Sequence, residues 1–141
     1  MEIILAENHG FCYGVKRAVE MANEAADSDG KSYTLGPIIH NPQVVGRLES
    51  KGVSPIQEVS DIDEGTMIIR SHGVGPAIYE EAEEKGLNIL DATCPHVKKA
   101  QQDAKSVIED GMTLVILGEK NHPEVKSINL WANNKGIIIE D

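Results

Sequence analysis

The stretch Tyr33-Thr34-Leu35-Gly36-Pro37-Ile38-Ile39-His40-Asn41-Pro42-Gln43-Val44-Val45 holds a strand, a turn and the start of a helix. Tyr33-Thr34-Leu35 is short, β-branched in character and stopped by Gly36, which reads as a buried strand. Asn41-Pro42 then places proline at the first helical position, where its missing N–H costs nothing and its fixed φ fits. Val44, Val45 and Leu48 put an apolar face on that helix. His40 is left at the helix mouth.

The same unit recurs in both directions along the chain. Apolar runs at Ile3-Ile4-Leu5-Ala6, Met67-Ile68-Ile69, Ile89-Leu90, Leu114-Val115-Ile116-Leu117 and Ile137-Ile138-Ile139 read as further buried strands. Helical spacing links Val15, Ala18, Val19, Ala22 and Ala26, and again Val97, Ala100, Ala104, Val107 and Ile108. The helix carrying Ile78 and Ala82 should stop at Lys85-Gly86, a basic last turn followed by a glycine suited to the left-handed cap. Strands alternating with helices predict an α/β fold, a mostly parallel sheet flanked by helices on both faces. The βα rhythm restarts after Thr93, so a boundary is expected near residue 95, with residues 1–95 as a first α/β domain and 96–141 as part of a second. The closing Ile137-Ile138-Ile139-Glu140-Asp141 reads as a strand without its following helix, an interrupted chain.

Composition narrows the function classes. The chain has 141 residues, 40% hydrophobic and 26% charged, ordinary values for a globular protein. A formal charge of -10 argues against nonspecific nucleic-acid or anionic-membrane binding. No apolar run reaches the length of a membrane span, and Glu2-Ile3-Ile4-Leu5 lacks the basic head of a signal peptide, so a cytoplasmic protein is expected. Two distant cysteines make a disulfide framework improbable and turn attention to a metal, a cluster or a reactive thiol.

Reactive residues recur at one kind of place. Each of Cys12, His40, His72, Cys94 and His122 follows an expected strand and precedes an expected helix, the last four beside a proline or glycine turn. In a parallel sheet such turns share the carboxyl edge, where ligands bind and helix N-termini present free N–H groups. A single histidine is commonly a satisfied polar residue and a single cysteine a small core residue. Five coincident placements favour a shared crevice, and thiols at helix mouths are poised to ionise and ligate.

In order and spacing, Gly10-Phe11-Cys12-Tyr13-Gly14-Val15, His40-Asn41-Pro42, Ser71-His72-Gly73-Val74, Asp91-Ala92-Thr93-Cys94-Pro95 and His122-Pro123-Glu124-Val125 resemble one known family. It is that of 4-hydroxy-3-methylbut-2-enyl diphosphate reductase, an iron–sulfur oxidoreductase of the non-mevalonate isoprenoid pathway. The resemblance covers the N-terminal portion of that family. It implies a three-domain α/β protein around an oxygen-sensitive [4Fe–4S] cluster held by three cysteines, with one iron open to substrate. Cys12 and Cys94 would be two of these metal ligands. The third cysteine, later substrate contacts and the third domain would follow residue 141. His40, His72 and His122 would bind the allylic diphosphate substrate, Glu124 would deliver a proton, and a ferredoxin or flavodoxin would supply electrons. Spacing alone leaves Glu124 equally readable as a first-turn carboxylate complementing a helix dipole. A competing reading is a metal-binding module with zinc held by Cys12, Cys94, His9 and His96. A phosphate-binding domain without redox chemistry is a third, although no Gly-X-X-X-X-Gly-Lys loop is present.

Overall fold

The computed structural model describes residues 2–7, 9–28 and 30–140. Its elements are α1 (Tyr13–Ala26), β1 (Ser32–Leu35), α2 (Pro42–Ser50), β2 (Val53–Ile56), β3 (Thr66–Ile69), α3 (Pro76–Glu84), β4 (Asn88–Asp91), α4 (Pro95–Glu109), β5 (Val115–Leu117), α5 (Pro123–Trp131) and β6 (Ile137–Ile139), with a 3₁₀ turn at Val59–Asp61. Four strands form a wholly parallel sheet in the order β2-β1-β3-β4, with Leu35 opposite both Ile56 and Ile69, and Ile69 opposite Asp91. β5 and β6 form a second, two-stranded parallel sheet. The α/β architecture expected from the alternating pattern is the one observed.

The first sheet is doubly covered because its side chains alternate between two cores. Ile68 faces Ala18, Ala22 and Ala25 of α1 and Val44 and Leu48 of α2. Its neighbours Met67 and Ile69 face the opposite way, with Leu35, Ile56, Val74 and Ala82. The chain leaves β1 over the α2 face to reach β2, and leaves β3 over the α3 face to reach β4. The carboxyl ends of β1 and β3 are therefore a topological switch point, where the two following turns part and open a crevice.

Helix boundaries follow their local chemistry. Pro42, Pro76, Pro95 and Pro123 open α2, α3, α4 and α5. Gly86, just past α3, takes φ +70°, the left-handed cap read from Lys85-Gly86.

The strand expectations need correction. Ile3-Ile4-Leu5-Ala6 is not a buried strand: residues 2–7 join neither sheet, and Ile3, Ile4 and Leu5 are 76%, 83% and 78% exposed. An apolar run becomes a strand only where an edge accepts its N–H and C=O groups, and no sheet edge formed by the described residues is paired with it. Conversely, Val53–Ile56 is a strand that periodicity did not reveal. Pro55 interrupts it, and it lies at the edge of the sheet, where proline is tolerated. The Leu114 strand begins one residue later, at Val115.

The first sheet ends at Asp91 and the second begins at Val115, with α4 between them. α4 packs along α5. The second sheet leaves apolar surface open, Leu117 at 77% exposed and Ile137 at 53%. Among the described residues no helix is long and apolar enough to cross a membrane.

Candidate active site

Three histidines arrive at one point from three turns. His40 follows β1, directly before Asn41, whose Oδ1 accepts from the N–H groups of Gln43 and Val44 at 3.1 Å each and fixes the entry into α2. His72 follows β3. His122 caps α5, its Nδ1 accepting from the Glu124 N–H at 3.3 Å, which leaves the imidazole proton on Nε2. Ring centroids are 4.6 Å apart for His40 and His72, 5.6 Å for His72 and His122, and 6.1 Å for His40 and His122. One ring nitrogen from each lies within 4.8 Å of the other two.

His72 is the most constrained of the three. Its Nδ1 is buried without a hydrogen-bond partner. Burial first, then the neighbouring His40, Arg70 and His122, push its pKa down to about 4. At neutral pH this ring is uncharged. An arriving anion would reverse that balance by favouring the imidazolium.

The His72 turn is held by a buried polar node. The Ser127 hydroxyl lies 2.8 Å from the His72 carbonyl and 2.9 Å from the Glu124 carbonyl, and it accepts from the Gln101 amide at 3.2 Å. Gln101 and Ser127 are each only 2% exposed. Gly73 takes φ +70°, and a Cβ there would overlap the Gln101 amide. The Trp131 indole N–H donates to the Val74 carbonyl at 2.9 Å, a second tie from α5 to the same turn. Sequence reasoning missed Gln101 and Ser127. The available signal was that Gln101 falls between Val97 and Ala104 on the apolar stripe of α4, where a polar side chain needs a partner.

The two thiols occupy helix mouths. Cys12 is the N-cap of α1 and exposed, Cys94 the N-cap of α4 and half-buried, and both are free. Gly14 lies against Cys94 so closely that a Cβ on it would run into the sulfur, which brings the first turn of α1 onto the Cys94 thiol. The Cys94 N–H donates to the Ser71 carbonyl at 2.9 Å, tying this turn to the one that carries His72. The Arg17 guanidinium donates to the Thr93 carbonyl at 3.2 Å.

Asp91 organises the approach to Cys94. Its carboxylate accepts from the Thr93 N–H at 3.0 Å and the Tyr79 hydroxyl at 3.1 Å, and pairs with Lys98. Burial pushes its pKa up, but the hydrogen bonds from Lys98 and Thr93 outweigh that and hold it below the usual carboxylate value. Burial and the adjacent Asp91 push the Tyr79 hydroxyl up to about 12, so it stays protonated as a donor.

Among the described residues the one group of three or more close metal-type ligands is His40, His72 and His122. Glu124 stands two residues after His122 in the first turn of α5, half-buried, and its carboxylate is outside that group. His9 and His96 do not join Cys12 and Cys94 in any such group. Both are exposed, and His9 Nδ1 lies 2.9 Å from its own loop's Ala6 carbonyl. The four-ligand zinc set therefore lacks its geometry. Two free thiols at helix mouths, one in a niche only glycine allows, suit iron and sulfide as soft-metal donors but leave a cubane one ligand short.

Comparison with known proteins connects these turns. A family model described as LytB protein matches residues 3–141. The 4-hydroxy-3-methylbut-2-enyl diphosphate reductase of Geotalea uraniireducens is 53% identical over 139 residues, 99% of this chain and 49% of that protein. The reductase of Geobacter sulfurreducens is 54% identical over 132 residues, 94% of this chain and 47% of that protein. A solved structure of (E)-4-hydroxy-3-methyl-but-2-enyl diphosphate reductase, described as the terminal enzyme of the non-mevalonate pathway, matches at TM-score 0.85 and 49% identity, covering 99% of this chain and 51% of that one. The Plasmodium falciparum reductase structure matches at TM-score 0.90 and 32% identity, covering 94% and 42%. The chain thus spans about half the length of the curated relatives it matches. With a family match across nearly its whole length, and with the quoted motifs lying on the turns that gather the imidazoles and the thiols, the chain belongs to the LytB protein family.

Proposed function

We propose that this chain provides the diphosphate-binding histidines and two of the cluster thiolates of a cytoplasmic 4-hydroxy-3-methylbut-2-enyl diphosphate reductase. Residues 1–95 would be its first α/β domain and 96–141 part of a second. The observation that carries this reading is the His40, His72 and His122 triad, three imidazoles from separate turns with ring nitrogens within 4.8 Å. A diphosphate offers several acceptor oxygens and needs donors from several sides, and three converging ring N–H groups meet that need by charge-assisted hydrogen bonds. In an acidic chain the positive field must be local, and the His72 imidazole, neutral in the free chain, would create part of it by taking up a proton as the anion arrives.

Cys12 and Cys94 would hold a [4Fe–4S] cluster, the remaining cysteine coming from the rest of the parent protein. When bound, the cluster supplies the electron pair that removes the allylic hydroxyl as water, forming isopentenyl and dimethylallyl diphosphate, with ferredoxin or flavodoxin as donor. The chain's own residues fix the diphosphate at the triad and so set where the allylic end lies. Glu124, beside His122 at the start of α5, would carry a proton to the leaving hydroxyl or the allyl carbon. This chain alone is expected to be inactive.

The test joins this sequence to the remaining half of a relative, reconstitutes it anaerobically with iron and sulfide, and assays it with reduced methyl viologen. Consumption of the allylic diphosphate is expected; a protein with an assembled cluster and no consumption would overturn the reading. The triad is tested separately by titrating the chain with inorganic pyrophosphate. Because three converging imidazoles also suit zinc, the titration is repeated with a chelator. Binding that survives chelation and falls at least tenfold in His122→Asn supports the anion role, whereas binding that requires metal overturns it.

A further inference from the structure

A cavity of about 360 Å³ opens at the switch point, behind the His72 turn, between the carboxyl ends of β1 and β3 and the inner side of α5. None of the three histidines lines it. Its walls are apolar at Leu35, Val74, Ile78 and Leu130, and its charged side chains are Arg70 and Lys126, with no carboxylate among the lining residues. In a chain of net charge -10, that is a local inversion of sign.

Arg70 is the unusual member. Its Nε is fully buried without a hydrogen-bond partner, and among the described residues Arg70 enters no ion pair. Lys126 is likewise absent from every ion pair among them. A half-buried guanidinium without a counter-charge is unfavourable unless something else supplies the acceptors. The backbone makes room for it: Gly36 takes φ +70°, and a Cβ at that position would stand 2.7 Å from Arg70 Nη1. Two unpaired cations facing one volume match a dianion better than a carboxylate, which would satisfy one and leave the other. The apolar walls and the volume, in the usual range for small-molecule sites, match a short hydrocarbon body on that dianion.

We propose that this cavity is a second binding site, separate from the histidine triad, for a phosphate ester with a short apolar body. Arg70 forks onto the phosphate oxygens, Lys126 closes over them from α5, and the body lies along Val74, Ile78 and Leu130. The site lies at the switch-point crevice where open α/β sheets generally bind ligands. It stands whether or not the triad binds diphosphate.

The probe is hexyl phosphate, titrated calorimetrically into the 141-residue chain, with inorganic phosphate and hexanoate in parallel. One site is expected, with hexyl phosphate binding at least fivefold tighter than either comparison ligand. Arg70→Gln should weaken it at least tenfold, Lys126→Glu should weaken it similarly, and His122→Asn should leave it within twofold. Circular dichroism monitors folding of each variant. If Arg70→Gln fails to fold, Lys126→Glu decides alone, since Lys126 is exposed on α5 and its replacement does not disturb the core. No binding of hexyl phosphate, unchanged binding in Lys126→Glu, or loss in His122→Asn as large as in Lys126→Glu would each overturn the proposal; the last would place the ligand on the triad instead.

Discussion

His72 and Cys94 are alike in position: each follows a strand of the first sheet and precedes a proline-led helix. Their surroundings differ. The His72 turn is bound from behind by Ser127, Gln101 and Trp131, so protein contacts bring its imidazole against two others. Cys94 has a glycine niche and one backbone tie to Ser71, while its counterpart Cys12 is exposed at the end of a segment that belongs to no sheet. The difference is between a site that protein contacts assemble and one that they leave loosely held. The first should resist removal of ligand and fail when its supports are cut. The second should do the reverse.

The strongest way to break the comparison is at Gly73. Gly73→Ala forces a Cβ into a left-handed backbone and against the Gln101 amide, and should cost about 2–4 kcal/mol. Thermal unfolding should fall by roughly 10 °C, and the three histidine ring signals should lose their mutual proximity in NMR. A variant of wild-type stability would show that the node is not what holds the triad.

Next in size is Ser127→Ala. It strips the hydroxyl from the His72 and Glu124 carbonyls and leaves the buried Gln101 amide without its acceptor, at a cost of about 1–3 kcal/mol. Adding Gln101→Leu should restore part of that loss, because an apolar pair is less costly than one orphaned amide. Urea unfolding of both single variants and the double variant measures the coupling; strict additivity would dissolve the node into independent contacts.

pH gives a smaller effect. His72 binds its proton at about 4 in the folded chain against 6.5 unfolded, so between those values the unfolded chain carries more protons. Its contribution to stability is complete above pH 6.5, declines as pH falls from 6.5 to about 4, and is flat below. Because the ring is only half-buried, the loss is on the order of 1–2 kcal/mol. Urea unfolding at pH 7.5, 5.5 and 4.5 should show it in wild type and not in His72→Asn. Saturating pyrophosphate should shrink it by holding the folded imidazole protonated.

The smallest effect belongs to the thiol side. Cys12→Ser should change the stability of the metal-free chain by less than about 0.5 kcal/mol, since the side chain is exposed. The same substitution in the reconstituted parent protein should abolish the cluster's visible absorbance. A large destabilisation of the metal-free chain would show that Cys12 is packed as firmly as the triad.

Much of this arrangement was legible because strand-end turns have strong chemistry. Asn41-Pro42, Cys94-Pro95 and His122-Pro123 mark helix entries by proline's missing N–H, and the residues before them were placed correctly for that reason. Local patterns failed where pairing decided the outcome. Ile3-Ile4-Leu5 has strand composition but no edge to pair with, and Val53–Ile56 contains a proline yet is a strand because it lies at an edge. The convergence of His40, His72 and His122 was expected on one sheet edge, but His122 follows β5 of the second sheet, so two sheets supply it. Its closeness depends on Gln101 and Ser127, two polar residues whose burial is set by the packing of α4 on α5. The Arg70 cavity was not visible in the sequence, since it needs residues from the end of β1, the turn after β3, α3 and α5 to be seen together.

Two of the three imidazoles ride on the first sheet, while the third is carried by α5, the crossover of the second. The opening between them is therefore a caliper, with one jaw on each sheet and the Gln101–Ser127 node as its locking screw. A caliper's opening is set by where its jaws sit, not by what the jaws are made of. The spacing of the three imidazoles can then drift through exchanges along the α4–α5 seam, and two chains with identical histidines could still hold them at different separations.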